Sequence, residues 1–191
     1  MRFIKTKIQD IVIIEPKIFM DERGYFTETF RYDLFQKNIG NIEFVQDNES
    51  KSKKGVLRGL HYQTHPFAQS KLVKIVKGEV FDVAVDIRKG SPTFGKHIMV
   101  KLSEENKRQL FIPKGFAHGF LAMRDDTICS YKVDNYYSPE HSRCLRFDDP
   151  AIDIDWGFSK ENIIISKQDK NASLLKDAEV FTYKYLHGDT K

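Results

Sequence analysis

Long hydrophobic runs are missing from this sequence of 191 residues, and no apolar stretch approaches the ~20 residues that a membrane-spanning helix needs. Residues 1–10 alternate charged and apolar side chains, unlike the continuous apolar core of a secretory signal peptide. We therefore expect a soluble protein that stays in the cytoplasm and has no membrane partner.

Cysteine is scarce, since the chain has only Cys129 and Cys144. Their spacing fits neither a zinc knuckle nor a redox pair, and the cytoplasm keeps isolated thiols reduced. We interpret both as ordinary packing residues.

A strong excess of one charge is also missing, because 31 Lys and Arg stand against 27 Asp and Glu and are spread along the chain. The dense basic run from Lys51 to Lys54 contains a serine and is typical of a solvated loop. We expect no nucleic-acid partner, whereas a modest positive balance suits an anionic small molecule such as a diphosphate. Repeats and linker-like stretches are absent, so residues 1–191 are predicted to form a single domain.

Beyond Lys71, side-chain character repeatedly alternates with period two, which predicts strands with one buried face. The predicted strands are Glu79 to Ile87, His97 to Leu102, Gln109 to Ile112, Phe116 to Met123 and Thr127 to Val133. Short strands separated by turns indicate an all-β sandwich or barrel, and we predict a jelly roll whose open mouth can hold a ligand. In the first of these strands, Asp82 and Asp86 share a face that can line a polar cavity.

Helix is predicted in a few short pieces only. Residues Asp33 to Ile39 form one, capped by Asp33 or a neighbour and closed by Gly40. A second covers Ala172 to Ala178, within a short helical tail at about 170–191.

Two stretches carry residues suited to chemistry. Arg58 and His61 lie three apart, so a regular strand would point them to opposite sides, but a bend at Gly59 can bring them together. The spacing alone equally allows a hydrogen-bonded core histidine and a surface ion pair. Tyr131 is either a packing residue or an acid that faces a cavity.

The second stretch has the Pro-x-Gly-x-x-His spacing of Pro113, Gly115 and His118, which matches the second signature of cupin barrels. Many cupins hold a metal with three histidines and a carboxylate, and their first signature supplies His-x-His followed by Glu. This chain has His61-Tyr62-Gln63 there, so the ligand set is broken and we expect no metal.

Together these segments resemble the dTDP-4-dehydrorhamnose 3,5-epimerase family from about Ile11 to Asp169. The segments that carry the resemblance are Asp21 to Glu28, Phe44 to Asn48, Leu57 to Gln63, Lys71 to Val73, Gly78 to Asp86, Ser91 to Gly95 and Gly115 to Phe120.

The resemblance implies a cupin-type jelly roll that needs no cofactor. It also implies a homodimer that exchanges N-terminal strands, and a dTDP-linked 4-keto-6-deoxy sugar as substrate. It assigns His61 as the general base, Asp169 as the residue that orients it, and Tyr131 as the acid on the opposite face. Lys71 would meet the enolate formed next to the ketone, because a cationic donor stabilises that developing charge.

The resemblance further implies substrate-binding roles for polar and aromatic residues. Arginines would bind the diphosphate, aromatic rings would stack on the base, and the others would line the nucleotide and sugar pockets. These residues are Arg23, Phe26, Glu28, Gln46, Asn48, Arg58, His118 and Tyr137. Two positions depart from the family pattern: Ser142 replaces an acidic residue, and Gln168 replaces a lysine.

Several functions remain open at this level. The favoured prediction is inversion of both C3 and C5, and a close alternative is a single-centre epimerase or one that acts on another nucleotide-linked 4-keto sugar. A metal-dependent cupin oxygenase or isomerase and a non-enzymatic sugar-binding cupin are further alternatives. Neither of the last two calls for Tyr131, Lys71 and Asp169 together.

Overall fold

The structure is a computed structural model that describes residues 1–183. Short strands dominate it, as the alternating sequence pattern predicts. In the described part of the chain the strands are β1 (Arg2–Lys5), β2 (Val12–Glu15), β3 (Ile18–Asp21), β4 (Gly24–Thr27), β5 (Gln46–Ser52), β6 (Val56–Gln63), β7 (Lys71–Lys77), β8 (Glu79–Asp86), β9 (Arg88–Lys89), β10 (His97–Ser103), β11 (Gln109–Ile112), β12 (Phe116–Ala122), β13 (Thr127–Val133), β14 (Ser142–Cys144), β15 (Ile164–Ile165) and β16 (Phe181–Thr182). The helices are α1 (Tyr32–Asn38) and α2 (Lys167–Lys170), with 3-10 turns at Pro139–His141, Lys160–Asn162 and Leu175–Asp177.

Two large sheets form the body of the fold. One has the order β1-β2-β11-β7-β13-β5, and the other has the order β10-β8-β12-β6-β14 with β15 added beside β6. Apolar side chains from both sheets meet in one core, including Val73 and Leu110 of the first and Ala84, Leu102 and Phe120 of the second. The predicted all-β jelly roll is therefore confirmed, and the five predicted strands all occur.

Both outer faces of this sandwich are covered. Phe35 of α1 is fully buried against the first sheet, with its ring 5.3 Å from that of Phe111. The second sheet is covered by the C-terminal third of the chain, where Trp156, Leu175 and Phe181 join the outer core cluster. Each sheet therefore has apolar side chains on both of its faces. The polar cavity described below is a local exception in this apolar interior.

The first predicted helix is confirmed, but its predicted cap is wrong. The helix starts after Arg31, and no side chain caps its first turn; Asp33 instead pairs with Arg31. Gly40, with a φ of +145°, follows the helix as the sequence predicts.

The predicted helical tail stays a prediction, because Tyr183, the last described residue, is helical. The predicted helix at Ala172 to Ala178 is wrong. This segment forms only the 3-10 turn Leu175–Asp177 and then β16, which runs parallel to β9. Its backbone bonds to neighbouring elements, as when Leu175 N–H donates to Asp149 Oδ2 at 2.6 Å. Residues 184–191 of the predicted tail lie outside the described residues.

The prediction that Asp82 and Asp86 line a polar cavity is wrong, because neither side chain lines the cavity described below. Asp82 bonds to His118, which lines the cavity described below. Asp86 is instead paired with Arg88 at 2.7 Å and accepts from Ser91, in a separate buried cluster. No helix in the described range of residues is long and apolar enough to cross a membrane.

Strands β3 and β4 form a small separate hairpin. All four residues of β3 are exposed, and the apolar side chains of Met20 and Phe26 are 73% and 67% exposed. Such an apolar patch on a soluble protein indicates a surface that contacts something else.

Candidate active site

A cavity of about 280 Å³ lies between the two sheets. The first sheet contributes side chains from β5, β7 and β13, and the second contributes β6, β12 and β14. Among the predicted site residues, the cavity is lined by Gln46, Asn48, Arg58, His61, Lys71, His118, Tyr131 and Tyr137. Ser142 and Gln168, the two positions that depart from the family pattern, also line it.

The bend predicted at Gly59 is what places Arg58 and His61 in the same cavity. On the neighbouring β12, His118 pairs with His61 while Phe120 pairs with Arg58, so β6 has one extra residue in this interval. Gly59 adopts a φ of +123°, and an added Cβ would lie only 2.5 Å from Gly119 Cα. Only glycine fits this bulge. The extra residue shifts the strand register by one, so the side chains after the bulge point to the opposite face from the one that a regular strand would give them.

His61 is held by a carboxylate. Its Nε2 lies 2.7 Å from Oδ1 of Asp169, while Oδ2 of Asp169 accepts the backbone N–H of Gly59 at 3.3 Å. Burial by itself would raise the pKa of Asp169, but the hydrogen bonds and charge of His61 and the Gly59 N–H together lower it. A charged Asp169 therefore keeps the proton of neutral His61 on Nε2 and leaves Nδ1 with a free lone pair.

The position of Asp169 follows from a local sequence signal. Ser166 caps α2, and its Oγ accepts the backbone N–H of Asp169 at 3.0 Å. This places Asp169 in the first turn of α2, where a carboxylate is favoured. There its side chain contacts His61, which lies 108 residues earlier in the sequence.

Lys71 is the buried cation of the cavity. Its Nζ donates to the backbone oxygen of His61 at 3.2 Å and lies 6.0 Å from the ring centre of Tyr131. Burial lowers the pKa of Lys71 to about 8, and the negative charge of Asp82 partly opposes this shift. The ammonium is therefore mostly protonated at neutral pH and close to titrating.

His118 and Asp82 form a second dyad. The Nε2 of His118 lies 3.0 Å from Oδ2 of Asp82, and both side chains are almost completely buried. Burial lowers the pKa of His118, against the opposing charge of Asp82. His118 is therefore a neutral hydrogen-bonding group on the cavity wall.

Tyr131 reaches the cavity from the first sheet, whereas His61 belongs to the second. Burial raises the pKa of Tyr131 above its usual value, so the phenol keeps its proton at neutral pH. The cavity therefore combines an imidazole that can accept a proton with a phenol that can donate one.

One edge strand supplies a polar wall that only part of the sequence analysis anticipated. Gln46, Asn48 and Ser50 alternate along β5 and all line the cavity. The hydroxyl of Ser50 is buried and has no hydrogen-bond partner within residues 1–183. Ser50 was missed, although its place two residues beyond Asn48 in an alternating strand is the signal that finds it.

Three predicted substrate-binding residues lie apart from this cavity. Arg23 pairs with Asp21 at the tip of the exposed hairpin, Phe26 is exposed on β4, and Glu28 pairs with Arg31. None of them lines the cavity of the chain that carries it.

Cys144 is the second residue that sequence reasoning misjudged. Cys129 is a packing residue in the core, but Cys144 on β14 lies directly opposite His61, with its Sγ 3.6 Å from Asp169 Oδ1. Sequence distance hides this placement, because β14 reaches β6 only in the folded sheet.

A jelly roll whose cavity holds an imidazole and a phenol beside a buried ammonium has the groups of an isomerase that moves protons next to a carbonyl. Residues 5–177 match the family model for dTDP-4-dehydrorhamnose 3,5-epimerase. The chain belongs to that family, as the resemblance in the sequence predicts.

Relatives from distant organisms agree with this membership. The dTDP-4-dehydrorhamnose 3,5-epimerase of Shigella flexneri is 54% identical over 182 residues, which are 95% of this chain and 99% of the relative. The enzyme of the same name from Methanothermobacter thermautotrophicus is 51% identical, over 94% of this chain and 97% of the relative. The dTDP-6-deoxy-D-glucose-3,5-epimerase of Legionella pneumophila, solved in complex with dTDP-4-keto-L-rhamnose, superposes with a TM-score of 0.92 at 48% identity, covering 96% of this chain and 98% of that one.

Proposed function

We propose that this chain converts dTDP-4-dehydro-6-deoxy-D-glucose to dTDP-4-dehydro-L-rhamnose by inverting C3 and C5. The observation that carries the proposal is the His61–Asp169 dyad, which opens onto a cavity that also contains Lys71 and Tyr131. Membership of the epimerase family supports the choice of substrate.

In the proposed reaction, Nδ1 of His61 removes the proton from C5 or C3. The electrons of the broken C–H bond move into the ketone at C4 and form an enolate. Asp169 stabilises the imidazolium that results, because its charge lies 2.7 Å from Nε2. Tyr131 then donates its phenolic proton to the opposite face of the same carbon, which inverts the centre. The His61 imidazolium releases its proton to solvent, and solvent reprotonates the phenolate.

In this proposal Lys71 lowers the free energy of the enolate. Its ammonium donates a hydrogen bond to the oxygen on C4, and such a bond strengthens as negative charge develops. A preorganised donor of this kind contributes about 10²–10³-fold to the rate in other enzymes. Asp82 opposes the loss of the Lys71 proton that burial favours, so it has a supporting electrostatic role.

Substrate binding falls to the polar walls. Arg58, whose guanidinium donates to Ser52 Oγ at 3.1 Å and to the backbone oxygen of Lys51, would pair with the diphosphate. Gln46 and Asn48 offer amide groups, while the exposed ring of Tyr137 is available for stacking on the base. His118 contributes a neutral contact to the sugar.

We also infer a homodimer in which the β3–β4 hairpin of one subunit completes the site of the other. The hairpin exposes Met20 and Phe26, and the predicted ligands Arg23 and Glu28 lie outside their own chain's cavity. Exchange between subunits would cover the apolar patch and bring these residues to a substrate.

Mixing two inactive variants tests this arrangement. Arg23→Ala removes the group supplied to the partner, and His61→Ala removes the base within each subunit. Co-expression should restore activity, because each mixed dimer then contains one complete site. Activity that stays at the level of the separate variants would show that Arg23 acts within its own chain.

A cytoplasmic location and a single folded domain over residues 1–191 complete the proposal. Two free cysteines within the described residues suit a reducing compartment. Cell fractionation and a single cooperative unfolding transition are the corresponding measurements.

The reaction itself is tested by proton NMR of the nucleotide sugar in deuterated buffer. The native enzyme should exchange the protons of both C3 and C5 for deuterium, and His61→Ala should abolish both exchanges. Tyr131→Phe should retain proton removal while losing inversion. His97→Ala is a matched control, since His97 lies on β10 and does not line the cavity.

Exchange at one carbon only would replace the proposal with a single-centre epimerase. Absence of any exchange by the native enzyme would contradict both the substrate and the reaction.

A further inference from the structure

One group of side chains beside the cavity, of which His61 lines the cavity itself, has the composition of a metal site. The nearest ligand atoms of His61, Cys144 and Asp169 all lie within 4.8 Å of one another. Cys144 enters the group through sheet register, because it pairs directly with His61 between β14 and β6. Its thiol points to a carboxylate and a carbonyl, 3.6 Å from Asp169 Oδ1 and 3.4 Å from Leu145 O, and not into the apolar core.

Two of the three ligand separations can be compared with those that a tetrahedral ion requires. With zinc bonds of about 2.3 Å to sulfur and about 2.0 Å to nitrogen and oxygen, tetrahedral angles require about 3.5 Å for S···O and about 3.3 Å for N···O. The Sγ–Oδ1 separation between Cys144 and Asp169 is already 3.6 Å. The Nε2–Oδ1 separation between His61 and Asp169 is 2.7 Å and must widen by about 0.6 Å to meet that geometry. The His61 side chain is 43% exposed, so it has room to move.

We propose that His61, Cys144 and Asp169 form an inhibitory Zn²⁺ site, in which the ion replaces the proton shared between His61 Nε2 and Asp169. One imidazole nitrogen, one thiolate sulfur and one carboxylate oxygen are a donor set that zinc binds well, and the cavity leaves the fourth position to water. This site is distinct from the three-histidine metal site of other cupins, because His118 is paired with Asp82 instead.

The proton balance explains why binding stops the reaction. Without metal, the Cys144 thiol donates its proton towards Asp169 Oδ1 and Leu145 O. Zinc displaces that proton to solvent and bonds to the thiolate. It also takes Nε2 of His61, so the proton formerly on Nε2 moves to Nδ1. The nitrogen that accepts the substrate proton is then already protonated.

Metal binding can be measured without any catalytic assay. Co²⁺ is added to the full chain, reduced with a phosphine and freed of other metals, and absorption is recorded. A thiolate-to-cobalt charge-transfer band in the near ultraviolet is expected in the native protein and lost when Zn²⁺ is added. The band should be missing in Cys144→Ser and Cys144→Ala, and retained in Cys129→Ala as the matched control.

A native protein without the band, or a band that survives in both Cys144 variants, would overturn the proposal. Circular dichroism of each variant establishes that it is folded before titration. If Cys129→Ala does not fold, the comparison of native protein with the two Cys144 variants still decides the outcome.

The consequence for catalysis rests on the proposed function and has its own assay. Zn²⁺ should inhibit proton exchange by the native enzyme, and EDTA should restore the full rate. Loss of the thiol should raise the inhibitory Zn²⁺ concentration at least ~10-fold, each variant being compared with its own metal-free rate. Equal zinc sensitivity in native enzyme and Cys144→Ala would refute inhibition at this site. If the sugar is not a substrate, the cobalt spectra remain decisive.

Discussion

The electrostatics of Lys71 predict a specific alkaline limb in the pH–rate profile. Burial lowers the pKa of Lys71 to about 8, and only the protonated form can donate to the enolate. For a pKa of about 8, the protonated fraction falls from about 90% at pH 7 to about 10% at pH 9. The rate should therefore fall about tenfold over this interval as pH rises, since the active form is lost above the pKa.

The assay is single-turnover epimerisation with a saturating excess of enzyme over substrate, followed by NMR between pH 6 and pH 10. Lys71→Arg is the matched variant, because a guanidinium keeps its charge throughout this range. Its rate should be lower at neutral pH, owing to the different shape of the donor, but the limb near pH 8 should disappear. Lys71→Met should lose about 10²–10³-fold at neutral pH and show no limb near pH 8.

A flat native profile up to pH 9 would refute the link between Lys71 protonation and turnover. So would a limb that persists unchanged in Lys71→Arg, because another group would then be titrating.

Three further predictions follow from the structure. Asp169→Asn keeps the shape of the dyad but removes the charge that supports the His61 imidazolium. The value of kcat should therefore fall at least ~10²-fold while KM changes little. A rise in KM as large as the fall in kcat would argue for a role in substrate binding. Gly59→Ala should lower both activity and the melting temperature, because its Cβ would lie 2.5 Å from Gly119 Cα at a φ of +123°; unchanged thermal unfolding would contradict the bulge. Phe35→Ala should lower the free energy of unfolding by about 3–5 kcal/mol in urea denaturation, because the ring is fully buried, while kcat in the folded enzyme stays unchanged.

The strands were predictable because their signal is local. Alternation along Thr127 to Val133 places buried and partly exposed side chains on opposite faces, and the structure has a strand of those bounds. The same local reasoning failed at Ala172 to Ala178, where tertiary hydrogen bonds and the burial of Leu175 override the helical pattern.

The candidate site was predictable in its parts more than in its arrangement. Gly59 carried the clue that Arg58 and His61 share a side, because glycine in a strand often marks a bulge. Ser50 and Cys144 were not identified, since their importance depends on which strand lies beside them. Arg23, Phe26 and Glu28 were named from resemblance, and none of them lines the cavity of its own chain.

By itself, the sequence determined the all-β class, the turns and the presence of an imidazole, a phenol and an ammonium in a recognisable family pattern. These features depend on the spacing of residues that are neighbours in the sequence, and they can be recognised without knowledge of distant contacts. Only the tertiary structure decided that Asp169 meets His61, that burial lowers the pKa of Lys71, and that Cys144 stands beside the dyad. Such features depend on through-space distance and desolvation, which arise when separate strands close around one cavity.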